Sequence, residues 1–135
     1  IDAGSTAVTV EIKHGGIEHI RVTDNGSGIH PDDIMLAVKK HSTSKINSFN
    51  DISSIKTLGF RGEALSSIIA VSNTEIRSQM SGQPEGRVYT NTGLNNNNIK
   101  PAGLPDGTTV TVDNLFYNIP ARHKFLRSAA QEAAI

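Results

Sequence analysis

The stretch Asp24-Asn25-Gly26-Ser27-Gly28 sets a carboxylate beside an Asn-Gly pair and two glycines. Two readings are open. Asn-Gly suits a type I′ hairpin turn, which needs a second strand directly after it; here a helix start follows instead. In the other reading the stretch is the floor of a nucleotide pocket. A carboxylate at a strand end accepts a hydrogen bond from an amino group. Adenine offers one at its six position, whereas guanine offers a carbonyl oxygen that a carboxylate repels. Gly26 and Gly28 let a planar base or ribose approach the backbone closely.

Thr57-Leu58-Gly59-Phe60-Arg61-Gly62-Glu63-Ala64-Leu65 places two glycines just before a helix start. Free N–H groups there hold an anion with help from the helix dipole. A plain loop-to-helix junction has the same appearance. Arg61 suits a phosphate or a carboxylate elsewhere. Glu63 suits a general base, although a first-turn glutamate more often supports the helix electrostatically. Ser42-Thr43-Ser44-Lys45 offers hydroxyls and an ammonium for phosphate contacts, against the ordinary reading of a solvated loop. Thr108, after Gly107, combines β propensity with a hydroxyl that can hold a water against a base. Arg122, Lys124 and Arg127 offer phosphate-backbone contacts, yet on a helix they are spread rather than stacked, as at a solvated helix end. The five histidines are scattered without metal-ligand spacing, and there is no GxxxxGK[ST] loop.

These residues need elements to hold them. Val8, Val10 and Ile12 alternate with polar residues, as do Ile20 and Val22, around His14-Gly15-Gly16. That pattern predicts a β-hairpin. Pro31-Asp32-Asp33 predicts a helix start, with Ile34, Ala37 and Val38 on one face. Residues 41–61 form a polar stretch too long for an ordinary connector. A second helix is expected from Gly62 to about Ala70, burying Leu65, Ile68 and Ile69. Strands are expected over 71–79, 86–92 and 108–112. Asn95–Asn98 reads as a loose surface loop, and 120–135 as one helix. The order predicts an α/β sandwich on a largely antiparallel sheet.

The chain has 135 residues, 13 Lys+Arg, 13 Asp+Glu and no Cys. The length suits one domain, 1–135. Lack of cysteine excludes disulfides, thiolate zinc sites, Fe–S clusters and cysteine catalysis. Zero formal net charge argues against a strongly basic nucleic-acid binder, though a local basic patch remains open. No apolar run approaches the roughly 18 residues of a membrane helix, so no membrane partner is expected. The opening Ile1-Asp2-Ala3-Gly4 and the closing helix-prone run read as the ends of a piece cut from a longer protein.

Taken together and in order, IDAG (1–4), DNGSGI (24–29), HSTSKI (41–46), LGFRGEALSSI (58–68), GTTV (107–110) and NLFYNIPARHKFL (114–126) resemble the N-terminal ATPase domain of the MutL family of DNA mismatch-repair proteins. DNGSGI and GTT are shared with DNA gyrase B, a heat-shock chaperone and histidine kinases, and discriminate weakly. GFRGEAL and NLFYNIPARHKFL are the MutL-like features. The resemblance spans essentially the whole chain.

It implies a two-layer α/β sandwich, a mainly antiparallel mixed sheet with helices on one face (the Bergerat ATP-binding fold), that binds ATP with Mg2+ under a lid. By motif, Asp24 would meet the adenine amino group and Thr108 would support it through water. Gly26 and Gly28 would admit the base and ribose, and Ala3 would lie near the adenine. Thr43, Ser44, Lys45, Gly59, Phe60, Arg61 and Gly62 would hold the phosphates from the lid. Arg122, Lys124 and Arg127 are the DNA-contact candidates.

The family's first motif begins with a general-base glutamate and an Mg2+-ligating asparagine. This chain starts at the motif's tail, so both are expected upstream of Ile1, with poor hydrolysis by these 135 residues alone. The resemblance implies a nucleotide-driven switch that dimerises with a second copy or paralogue and works with a mismatch-recognition protein and duplex DNA. A bacterial, cytoplasmic, nucleoid-associated location is expected. A histidine kinase-type ATP-binding domain is the alternative within the superfamily, and a DNA-binding module without nucleotide chemistry is the alternative outside it.

Overall fold

A computed structural model of the chain describes residues 2–38, 63–92, 97–126 and 128–134. Strand β1 (Val8–Lys13) turns through a 3-10 segment, His14–Gly16, into β2 (His19–Asp24). Helix α1 (Pro31–Val38) follows. The chain is next described at helix α2 (Glu63–Ala70), then β3 (Asn73–Gln79), β4 (Gly86–Asn91), β5 (Asn97–Ala102) and β6 (Gly107–Asp113). Two short helices close it, α3 (Pro120–Lys124) and α4 (Ala129–Ala133).

The strands form one six-stranded sheet in the order β1-β2-β6-β3-β4-β5. Every pairing among the described residues is antiparallel, in keeping with the mainly antiparallel sheet expected. The last strand in sequence, β6, sits between β2 and β3. That insertion brings the ends of three strands distant in sequence into one row, with Asp24 opposite Thr108 and Thr108 opposite Ser78.

The core lies between the sheet and α1 and α2. Ile34 and Val38 of α1 pack against Ile76 of β3 and Tyr89 of β4, with Ile29, Leu65, Ile69, Ile99 and Val110 closing the cluster. Burial raises the Tyr89 phenol above its ordinary pKa. The apolar side chains of β1 point to this same face of the sheet yet stay open among the described residues, Val10 being 63% exposed.

Helix α2 is held at its C-terminal end by three elements. Its last carbonyls lack intrahelical partners and need others. Ser72 Oγ donates to the Ile68 carbonyl at 2.6 Å, Asn91 Nδ2 to Ile69 at 3.0 Å and Asn118 Nδ2 to Ala70 at 2.9 Å. The Phe116 N–H donates to the Val71 carbonyl at 2.7 Å. Phe116 adopts φ 62°, unusual for a bulky residue, within the turn that makes this contact.

Two local readings are corrected. Asn97 and Asn98, expected in a loose loop, begin β5. The exposed outer edge of β4 supplies the ladder that the local composition did not suggest, and Pro101 is tolerated because β5 is itself an edge strand. The expected single helix over 120–135 is interrupted. Helix α3 ends at Lys124, and Ser128 restarts the chain as the N-cap of α4, with a capping box to Gln131.

Candidate functional site

The ends of β2, β6 and β3, with the loop 24–29, form the site. Asp24 is the last residue of β2 and its side chain lies on the helix-bearing face. One carboxylate oxygen, Oδ1, accepts from the Gly26 N–H at 2.8 Å. This closes a local turn through the side chain. No other partner is recorded for the carboxylate among the described residues, so Oδ2 remains an acceptor available to a ligand donor. Thr108 lies directly across the strand pair, and its hydroxyl is 2.7 Å from Ser78 Oγ. Ser78 is 1% exposed.

The loop is strapped down on both sides. Ile29 N–H donates to Ser78 Oγ at 2.9 Å, and Ser81 N–H donates to the Ser27 carbonyl at 3.1 Å. On the other side, Ser27 N–H donates to the Ala3 carbonyl at 2.9 Å. Asn25 points away from the pocket and clamps the segment before β1. Its Oδ1 accepts from the N–H groups of Thr6 and Ala7 at 2.9 and 3.0 Å, and its Nδ2 donates to Thr6 Oγ1 at 2.8 Å. Asn25 therefore serves neither a type I′ hairpin nor a ligand in this arrangement; it fixes the floor of the site.

The glycines answer to the protein's own backbone. At Gly28, φ is +75° and a Cβ would run into the Gln79 carbonyl oxygen. At Gly107, φ is +120° and a Cβ would run into the Asp24 carbonyl oxygen. At Gly26 a Cβ would fall 2.8 Å from that of Ala3. So Ala3, Asp24, Gly26, Gly28 and Thr108 come together. Thr43, Ser44, Lys45, Gly59, Phe60, Arg61, Gly62 and Arg127 lie outside the described residues. Arg122 and Lys124 sit exposed on α3, apart from this cluster.

Sequence reasoning missed Ser78 and the clamping role of Asn25. No local signal marks Ser78, which is a serine inside an ordinary strand. Only the placement of β6 between β2 and β3 brings it to the pocket.

The opposite face of the sheet carries a cavity of about 380 Å³. Arg21, Thr23, Glu75, Arg77, Thr109 and Thr111 line it on the sheet, and Asp24, Gly107 and Thr108 with the 104–106 loop line its end. Its two arginines are paired within the protein: Arg21 Nη1 is 3.8 Å from Glu11 and Arg77 Nε is 3.8 Å from Glu75. The Asp24 carboxylate does not project into this face, because strand residues alternate and Arg21 and Thr23 occupy it. Among the described residues no group of three His, Asp or Glu side chains could hold a metal ion.

The donor and acceptor pattern fits a purine bearing an amino group. A carboxylate oxygen and a hydroxyl stand side by side at a strand end, over a backbone floor held by glycines. Nothing in that row repels an exocyclic amine.

The chain is similar to known proteins. Residues 1–109 match the family model described as Histidine kinase-, DNA gyrase B-, and HSP90-like ATPase. A DNA mismatch repair protein MutL from Agathobacter rectalis is 52% identical over 99% of this chain, and one from Syntrophobacter fumaroxidans is 48% identical over 99%. The chain spans only 21% and 20% of the length of these curated relatives. The solved structure of the Aquifex aeolicus MutL ATPase domain complexed with ADP superposes with TM-score 0.71 at 34% identity, over 98% of this chain and 45% of that one. The chain belongs to the histidine kinase-, DNA gyrase B- and HSP90-like ATPase family, on the branch of the MutL ATPase domains.

Proposed function

We propose that the chain is the nucleotide-binding part of an ATP-driven switch in a DNA mismatch-repair protein. The observation that carries this is the row Asp24–Thr108–Ser78 beneath the strapped loop 24–29, an acceptor-lined pocket end on a MutL-type sheet. In this reading Asp24 Oδ2 accepts from the adenine amino group, and Thr108 supports the same edge through a water. Gly26, Gly28 and Ala3 form the floor against base and ribose. Thr43, Ser44, Lys45 and the 59–62 segment, with Phe60 and Arg61, hold the phosphates. Mg2+ would neutralise phosphate charge.

The switch requires that the γ-phosphate bind a closed state better than an open one, since equal affinity shifts nothing. Closure then permits association with a second copy or paralogue. Duplex DNA, met by Arg122, Lys124 and Arg127, and a mismatch-recognition protein are the further partners. The setting is the bacterial cytoplasm, with the nucleoid as working location.

The test is titration calorimetry with a non-hydrolysable ATP analogue. It uses the full-length protein beside its Asp24→Asn variant. An asparagine must turn its NH2 group either toward the Gly26 N–H or toward the adenine amine, so donor faces donor either way. Loss of a charge-assisted hydrogen bond of about 1.5–3 kcal/mol lowers affinity roughly 10- to 150-fold. A folded protein that binds no adenine nucleotide, or an Asp24→Asn variant that binds as tightly as the wild type, overturns the reading.

A further inference from the structure

One arrangement of protons satisfies all three contacts of Ser78 Oγ at once, and that arrangement sets the polarity of the pocket. Ser78 Oγ carries a single proton and meets three polar atoms. Ile29 N–H, at 2.9 Å, can only donate to it. The Gly107 carbonyl, at 3.0 Å, can only accept from it. The serine proton is therefore committed to Gly107. In this arrangement the remaining neighbour, Thr108 Oγ1 at 2.7 Å, is the donor in that contact. With its proton turned to Ser78, the Thr108 hydroxyl offers only lone pairs to the rest of its surroundings.

From this geometry we infer that Ser78 is a specificity-determining positioning residue: it locks Thr108 as an acceptor, so that the pocket presents acceptors alone to the six position of a bound purine. The inference rests on the nucleotide-binding reading above and deepens it. Asp24 Oδ2 and Thr108 Oγ1 together accept from a 6-amino group, directly or through a water. A 6-oxo purine brings an acceptor against two acceptors. If the Thr108 hydroxyl could rotate, it would donate to that oxo group and blunt the discrimination. Ser78 is 1% exposed, so no bulk water competes for the bonds that hold this orientation. Ser78 also ties the three segments of the site together, since its partners belong to the 24–29 loop and to the start of β6.

The experiment measures ATP and inosine triphosphate affinities by calorimetry in the full-length protein. The two nucleotides differ on one edge of the base alone, in the six substituent and in the N1 proton that the 6-oxo form carries. Ser78→Ala frees the Thr108 proton, and one regained hydrogen bond to the 6-oxo group narrows the ATP-to-inosine-triphosphate ratio roughly three- to tenfold. A merely structural role would weaken both nucleotides alike and leave the ratio untouched. In a Thr108→Val background, Ser78→Ala should change the ratio no further, because the group it acts through is gone. An unchanged ratio in folded Ser78→Ala overturns the inference while leaving the adenine pocket standing. If Ser78→Ala does not fold, Thr108→Val alone decides: a ratio equal to wild type shows that the Thr108 hydroxyl reads nothing, and overturns it. A wild type that binds both nucleotides equally overturns this inference alone; one that binds neither overturns the nucleotide reading, and this inference with it.

Discussion

Gly107 is where the site's geometry can be tested most directly. Its φ of +120° is a conformation that L side chains rarely adopt, and a Cβ there would collide with the Asp24 carbonyl oxygen and lie 3.1 Å from Asn25 Cα. Gly107→Ala therefore combines two costs. Holding a non-glycine residue in so sparse a region costs about 1–3 kcal/mol. Forcing a methyl group into filled space between strands costs about 1–3 kcal/mol more. The reduced freedom of the unfolded chain offsets about 0.4–1 kcal/mol. The net expectation is destabilisation by about 3 kcal/mol, a large share of the 5–15 kcal/mol typical of a domain.

Two other glycines separate the contributions. Gly82 has φ +85° with nothing near its would-be Cβ, so Gly82→Ala reports strain alone, about 1 kcal/mol after the offset. Gly103 has open space and no positive φ, so Gly103→Ala is neutral or slightly stabilising. The assay is urea unfolding of the 135-residue chain. With m near 2 kcal/mol/M, Gly107→Ala lowers the midpoint by about 1.5 M. A midpoint no lower than that of Gly82→Ala would refute the reasoning, for it would mean that β2 and β6 are not held rigidly where Asp24 meets Thr108.

Asn25→Ala removes the acceptor shared by the Thr6 and Ala7 N–H groups, and these bonds are solvent-accessible, so the expected cost is modest, about 1 kcal/mol. Asn25→Asp keeps that acceptor and should lose less; amide exchange at Thr6 and Ala7 that stays equally slow in Asn25→Ala contradicts the clamp. Tyr89 has a folded pKa raised above the ordinary 10.0 by burial. Its contribution is therefore fully present below pH 10 and is lost as pH climbs from about 10 through the folded value. Tyr89→Phe should flatten the alkaline fall in unfolding free energy, and curves for the two proteins that run parallel above about pH 10 would exclude this titration.

Much of the fold was written locally. The alternation of Val8, Val10 and Ile12 with polar neighbours, answered by Ile20 and Val22 across His14-Gly15-Gly16, determined the β1–β2 hairpin. Pro31-Asp32-Asp33 determined where α1 begins, and Asp106-Gly107 where β6 begins. These signals act within a few residues of where they are written, through fixed φ, the helix dipole and side-chain periodicity. The motif order alone sufficed to indicate the family.

Tertiary structure decided the rest, because it depended on partners far away in sequence. Asn97–Ala102 is a strand only because the edge of β4 offers it a ladder; its own composition argues for a loop. Asn25 has the chemistry of a turn residue, and became a clamp because the segment before β1 lies 18 and 19 residues away within reach of its amide. Ser78 acquires its role from Ile29, 49 residues distant, and from Thr108, 30 residues distant, which the insertion of β6 between β2 and β3 brings to one oxygen atom. A hydroxyl's direction is set by which neighbours can only give a proton and which can only take one, and that inventory exists only once the strands are paired.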